Sequence, residues 1–166
     1  MTLELIETLK KRAVKSGVDI KLASGVRSSV YVDCKLATLH GPSLELIGRD
    51  LWERVKILSG NGKNIFVAGV SVGGDPLVAA VLLAAHREGC ALEGLLIRKE
   101  PKAHGASSGK AVDGFAPRQG FDVYLLEDVI TSGGSSKKAA EFLKNEGYNL
   151  KGIVALVDRE AGGVEA

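Results

Sequence analysis

Apolar positions along the chain fall into two textures. Over residues 3–14, Leu3, Ile6, Leu9 and Ala13 recur at helical spacing. Thr2 stands where it can cap this helix, Glu4 and Glu7 lie near its positive end, and Gly17 fits a stop. Two short extended segments are expected next, at residues 18–22 and 29–34, joined by the turn Ser24-Gly25-Val26-Arg27. Pro42 then opens a second helix, with Leu44, Ile47 and Leu51 on one face. After Gly60-Asn61-Gly62 the texture changes. Residues 65–70 are wholly apolar, the pattern of a strand buried on both faces. Residues 92–97, 123–126 and 153–157 repeat that pattern, and helices are expected between them at 77–86 and 135–145. Strands alternating with helices predict an α/β fold with an open parallel sheet and right-handed crossovers.

The pattern fails over residues 100–120. Gly105, Gly109, Gly114 and Gly120 fall here with Pro101 and Pro117, and there is neither a helical stripe nor alternation. A structureless stretch this long inside a compact domain points to a functional loop or a disordered one.

Composition narrows the reading further. Aromatic residues make up only 5% of the 166-residue chain, so branched and small aliphatics must fill the core, as suits a layered α/β protein. A net charge of +2 is too balanced for a nucleic-acid surface. Cys34 and Cys90 lie far apart and neither sits in a CxxC, so reduced thiols are expected rather than a disulfide framework or a zinc site. With no apolar run of membrane-spanning length and no secretory leader pattern, the expected location is cytoplasmic, without membrane partners.

The strongest chemical signal begins at the end of the third buried strand, Glu127-Asp128-Val129-Ile130-Thr131-Ser132-Gly133-Gly134-Ser135. Ligands of open α/β sheets bind at the carboxyl ends of strands. The Thr-Ser-Gly-Gly-Ser turn offers hydroxyls and unpaired N–H groups at a helix N-terminus, an anion site suited to a phosphate monoester. The acids cannot welcome a second phosphate, but they can accept hydrogen bonds from a sugar diol, and carboxylates suit Mg²⁺. A second signal is Arg98-Lys99-Glu100-Pro101-Lys102-Ala103-His104-Gly105, which leads into the irregular loop with four potentially cationic side chains. Donors of this kind assist a leaving group that accumulates negative charge. Histidine could also give up a proton there.

Glu127 to Ser135 resembles the phosphoribosyl pyrophosphate (PRPP) signature of the type I phosphoribosyltransferases, and the Arg98 to Gly105 segment resembles the loop motif of the orotate phosphoribosyltransferases. The resemblance runs from about Leu22 to Gly163. It implies one domain over residues 1–166, with an N-terminal helix and hood in 1–40, a PRPP-binding core in 60–160 and a flexible lid in 100–120. It places Glu127 and Asp128 on the ribose hydroxyls, and Thr131, Ser132, Gly133, Gly134 and Ser135 on the 5-phosphate. It assigns Lys102 to catalysis, with Arg98, Lys99 and His104 around the pyrophosphate. Mg²⁺ is implied as a cofactor carried chiefly by PRPP, with Asp128 as a candidate ligand, and a homodimer with lid residues shared across the interface is implied too.

Three further segments carry the same resemblance. Leu22-Ala23-Ser24-Gly25-Val26-Arg27 and the strand after it, with Tyr31, are similar to the hood that embraces the base. Many family members have lysine where this chain has Ala23, and Arg27 or Lys21 could substitute. Gly69-Val70-Ser71-Val72-Gly73-Gly74-Asp75 resembles the loop that touches pyrophosphate, although some relatives have lysine at the position of Gly73. Asp158-Arg159 follows the last strand, where the family sets an arginine against the orotate carboxylate. A Walker A loop is excluded at Gly105 to Ala111, because the glycine spacing is short and no Ser or Thr follows Lys110. The implied reaction is transfer of phosphoribose from PRPP to orotate. A transferase for a purine or other base, or a non-catalytic PRPP or nucleotide binder, are the rival readings; Ala23 and the early end of the chain speak for the latter and the lid motif against it.

Overall fold

The computed structural model describes residues 1–21, 27–60, 64–98, 111–114 and 121–163. Helix α1 (Leu3–Ala13) opens the chain, and Thr2 Oγ1 accepts from Leu5 N at 3.3 Å, as its cap position predicts. The helix does not run to Gly17. The chain turns directly into β1 (Val14–Lys21), which pairs antiparallel with β2 (Arg27–Val32). Gly17, at φ 73°, stands within the register irregularity between Ser16 and Ile20. It therefore bends a strand rather than ending a helix, a conformation glycine adopts without steric cost.

A short helix, α2 (Lys35–Thr38), leads into α3 (Gly41–Ser59), which buries Ile47, Leu51, Trp52 and Val55. Gly48 lets it lie close against its neighbour α4 (Asp75–Arg87): a Cβ there would stand 2.6 Å from the Ala80 carbonyl oxygen. The remaining elements are β3 (Ile65–Val70), β4 (Glu93–Ile97), β5 (Val112–Gly114), β6 (Asp122–Ile130), α5 (Gly134–Asn145) and β7 (Asn149–Asp158). They build a five-stranded sheet of order β5-β4-β3-β6-β7.

Three of its pairings are parallel, as the alternation of apolar runs predicts, and β5 adds an antiparallel edge. That strand lies inside the stretch expected to be irregular. It holds three residues, too few to show a period, and exists through Leu96 opposite Asp113 and Ile97 opposite Val112. Residues 100–110 and 115–120 of that stretch lie outside the described residues, as does Lys99 before it. Strand β6 also runs four residues past its apolar core, through Glu127, Asp128, Val129 and Ile130, because β7 pairs with it as far as Asp158.

The sheet divides the core in two. On one face Val67, Tyr124, Leu126, Val154 and Leu156 pack with α1, α3 and α4. On the other Phe66, Ala68, Val123 and Leu125 pack with Ala139 and Leu143 of α5. The chain leaves β3 through α4 for β4 on one side, and leaves β6 through α5 for β7 on the other. The winding therefore reverses between β3 and β6, and the ends of those two strands frame the crevice where open α/β sheets bind ligands. Among the described residues no helix is long and apolar enough to cross a membrane.

Both cysteines are free, and they differ chemically. Cys34 is 1% exposed, and burial, with Asp128 and Asp33 adding to it, pushes its thiol up to about 12. Cys90 is half-buried. Only thiolate alkylates readily, and a raised pKa keeps Cys34 protonated at pH 8. Iodoacetamide at pH 8 should label Cys90 in the folded protein and reach Cys34 only in denaturant. Peptide mass mapping reads the difference, and equal labelling rates would contradict the burial of Cys34.

Candidate active site

The site starts where β6 ends. Ile130 is the last strand residue, Thr131 and Ser132 form the turn, and Gly133 stands before α5 at φ 72°. Only glycine holds that left-handed conformation cheaply, and it turns the chain so that α5 begins at once. No side chain caps α5, so the N–H groups of its first turn are left for a ligand, at the positive end of the helix dipole. Thr131, Ser132, Gly133, Gly134 and Ser135 all line one cavity of about 380 Å³ here, with Arg159 on its wall. The sequence placed these residues together, and the structure does the same. Lys138 lines the cavity too. It stands three residues beyond Ser135 on α5, a helical spacing that could have singled it out.

The two acids part company. Successive side chains of a strand face opposite sides. Glu127 turns towards α5, where the Ser136 hydroxyl donates to its Oε1 at 2.9 Å, and the residue is buried. Asp128 is half-buried and turns towards the β3–α4 turn. Its Oδ1 accepts from Val129 N at 2.8 Å, and a Cβ on Gly73 would stand 2.7 Å from its Oδ2. The glycine at 73 thus leaves room for the Asp128 carboxylate at the crevice. In the same turn the Ser71 hydroxyl donates to Asp75 Oδ1 at 2.7 Å, which ties that acid to the start of α4.

Arg159 joins the hood to the core. Its N–H donates to the Ile130 carbonyl at 3.0 Å. Its Nη2 donates to Ser28 Oγ at 3.0 Å and to the Val30 carbonyl at 2.9 Å, both on β2. Arg27 sits elsewhere: its guanidinium pairs with Asp19 across the hairpin, Nε to Oδ1 at 2.7 Å, on an exposed surface. The arginine beside Asp19 holds that carboxyl below the usual range. Tyr31 stands opposite Lys15 in the hairpin and does not line the cavity at the start of α5. Arg98 is held at the sheet edge, where its Nε donates to Asp113 Oδ2 at 2.6 Å and its N–H to the Ala111 carbonyl at 2.8 Å. Lys99, Lys102, His104 and Ala23 lie outside the described residues.

This geometry has counterparts in known proteins. The phosphoribosyl transferase domain family matches residues 39–166. An orotate phosphoribosyltransferase of Rhodopirellula baltica is 37% identical over 167 residues, covering 98% of this chain and 83% of that protein. The chain belongs to the orotate phosphoribosyltransferase family. The enzyme of that name from Sorangium cellulosum is 40% identical over 98% of this chain and 82% of its own length. Among solved structures, orotate phosphoribosyltransferase of Aeropyrum pernix superposes with a TM-score of 0.72 at 33% identity, over 97% of this chain and 85% of that one. The Mycobacterium tuberculosis enzyme in complex with PRPP superposes with a TM-score of 0.72 at 28% identity, over 98% and 85%. Members of the family are pentosyl transferases.

Proposed function

We propose that this chain transfers the 5-phosphoribosyl group of PRPP to orotate, giving orotidine monophosphate and pyrophosphate in pyrimidine synthesis. The observation that carries the reading is the uncapped start of α5, whose N–H groups and neighbouring hydroxyls open into a cavity walled by Arg159. The 5-phosphate sits against Gly133, Gly134 and Ser135, with Thr131 and Ser132 donating hydroxyls. Asp128 accepts from the ribose hydroxyls and faces the positive charge that develops on the ring as pyrophosphate departs. Arg159 grips the orotate carboxylate. Arg98, Lys99, Lys102 and His104 gather round the leaving pyrophosphate, and the lid residues among them serve the neighbouring subunit of a homodimer. The protein positions and stabilises; no nucleophilic side chain is required.

The donor set fits a divalent cation brought in by the substrate. Asp128 offers a carboxylate oxygen at the crevice, and among the described residues no group of three or more His, Cys, Asp or Glu could cage an ion. Magnesium of this kind keeps waters and phosphate oxygens and needs only one or two carboxylates. When bound, it neutralises charge on the pyrophosphate.

Purified protein should consume orotate with PRPP and Mg²⁺ and ignore adenine, hypoxanthine and uracil. Turnover of a purine with none of orotate would overturn the substrate. Arg159→Ala removes a charged partner worth roughly 1.5–3 kcal/mol, so KM for orotate should rise about 10- to 100-fold. An unchanged KM would take Arg159 out of the base site.

A further inference from the structure

The hydroxyl of Ser28 has three neighbours within hydrogen-bond reach. It donates to the Val30 carbonyl at 2.8 Å, accepts from Val30 N at 3.2 Å, and accepts from Arg159 Nη2 at 3.0 Å. The Val30 carbonyl accepts from the same Nη2 at 2.9 Å. Ser28 Oγ and the Val30 oxygen are themselves only 2.8 Å apart. One hydrogen of Nη2 directed between them is enough to serve both acceptors.

That arrangement fixes what the rest of the guanidinium can do. Its donors form two forks, Nε with Nη2 and Nη1 with Nη2, and each fork uses a different hydrogen of Nη2. Spending one hydrogen on the hood closes one fork and leaves the other free to meet a planar carboxylate with two parallel bonds. Ser28, with the Val30 carbonyl, also limits the swing of the group by holding Nη2, while the Arg159 N–H fixes the main chain on the Ile130 carbonyl. The residues that do this are 131 positions apart in sequence.

We propose that Ser28 is a positioning residue for the base site: it orients Arg159 so that one fork of the guanidinium faces the orotate carboxylate, and it makes the seating of the hood strand part of base recognition. The inference rests on the orotate reading above. Ser28 need not touch the substrate. Its contribution is to reduce the ordering that Arg159 must undergo when the carboxylate arrives, so its loss weakens base binding without touching the phosphate cavity. Specificity follows from the same geometry. A base without a carboxylate gains nothing from an oriented fork, whereas orotate gains both bonds.

Three variants test this: Ser28→Ala, Ser28→Thr and Arg159→Ala, with Ser28→Ala/Arg159→Ala as the double. Ser28→Ala should raise KM for orotate about 5- to 10-fold, with kcat and KM for PRPP within twofold of wild type. Ser28→Thr keeps the hydroxyl and suits a strand, and it should restore KM for orotate. In the double variant the serine should have no further effect on KM. A general loosening of the hairpin would instead raise both KM values or fail to be rescued by threonine, and either outcome overturns the proposal. The contact itself is read without substrate, from thermal unfolding. The two single variants should be non-additive in Tm by roughly 2 °C or more, following the usual size of coupled neighbours. Additive shifts would show that Ser28 does not hold Arg159. Wild-type protein that ignores orotate while the Tm coupling persists would sink the substrate reading, and with it the base-recognition role, but leave the Ser28–Arg159 contact standing.

Discussion

Asp128→Asn is expected to lower kcat/KM for PRPP by roughly 10²-fold in a protein that stays folded. The substitution changes little around the residue. Asparagine keeps an oxygen to accept from Val129 N, the bond Asp128 Oδ1 now makes at 2.8 Å. The NH₂ group then takes the place of Oδ2, beside Gly73. On the proposed reading the carboxylate offers an acceptor to the ribose hydroxyls, whereas the amide offers a donor and carries no negative charge to face the ring as it becomes positive. The loss should therefore fall on kcat as well as on PRPP affinity. Glu127→Gln should behave differently, because the buried Glu127 accepts from the Ser136 hydroxyl of α5, and we propose that it helps to hold the turn before that helix in place. Its effect should appear in Tm as well as in turnover. Steady-state kinetics and a thermal melt for each variant separate the two. An Asp128→Asn enzyme with wild-type kcat/KM would remove Asp128 from the ribose site.

The same contrast explains what could be read from the sequence. The turn before α5 was legible because it is contiguous: Thr131 to Ser135 follow an apolar strand and open a helix, so strand, turn and helix start lie within a few residues. The parallel sheet was legible because strands such as Ile65–Val70 are buried on both faces and hydrophobic at nearly every position. Contacts between distant segments left no such trace. Nothing near Gly73 says that its missing Cβ makes room for the Asp128 carboxylate, and nothing near Ser28 says that it meets Arg159. Arg27 is a candidate substitute for the lysine that many family members have at the position of Ala23. Asp19, eight residues earlier, claims it across the hairpin, a pairing set by the register of β1 on β2. The adjacency of Glu127 and Asp128 suggested one shared task, whereas the pleat of β6 sends them to opposite faces, each to a different neighbour. Strand β5 was missed because three residues carry no periodicity, and its pairing is supplied by the free edge of β4.

The largest expected effect belongs to the lid. On the proposed reading Lys102→Ala removes a cation that assists the departing pyrophosphate, a loss that typically costs 10²- to 10³-fold in kcat. If Lys102 serves the partner's site, as we propose, its defect and that of Asp128→Asn belong to different sites of one dimer. Each variant alone is then nearly inactive, since both of its sites lack the same group. A mixed dimer has one site with both defects and one with neither. With equal amounts and random exchange, about half of the dimers are mixed, and each carries one sound site, so roughly a quarter of wild-type activity should return. Subunit exchange is checked by mass spectrometry of the intact dimers, using one variant grown in heavy isotope. The time course carries information as well, because activity should rise at the rate of exchange and not at once on mixing. Recovery near a quarter places Lys102 across a two-fold interface. Mixed dimers present in full amount with no recovered activity would mean that Lys102 works within its own subunit, where both defects fall on separate chains and every mixed dimer has two impaired sites.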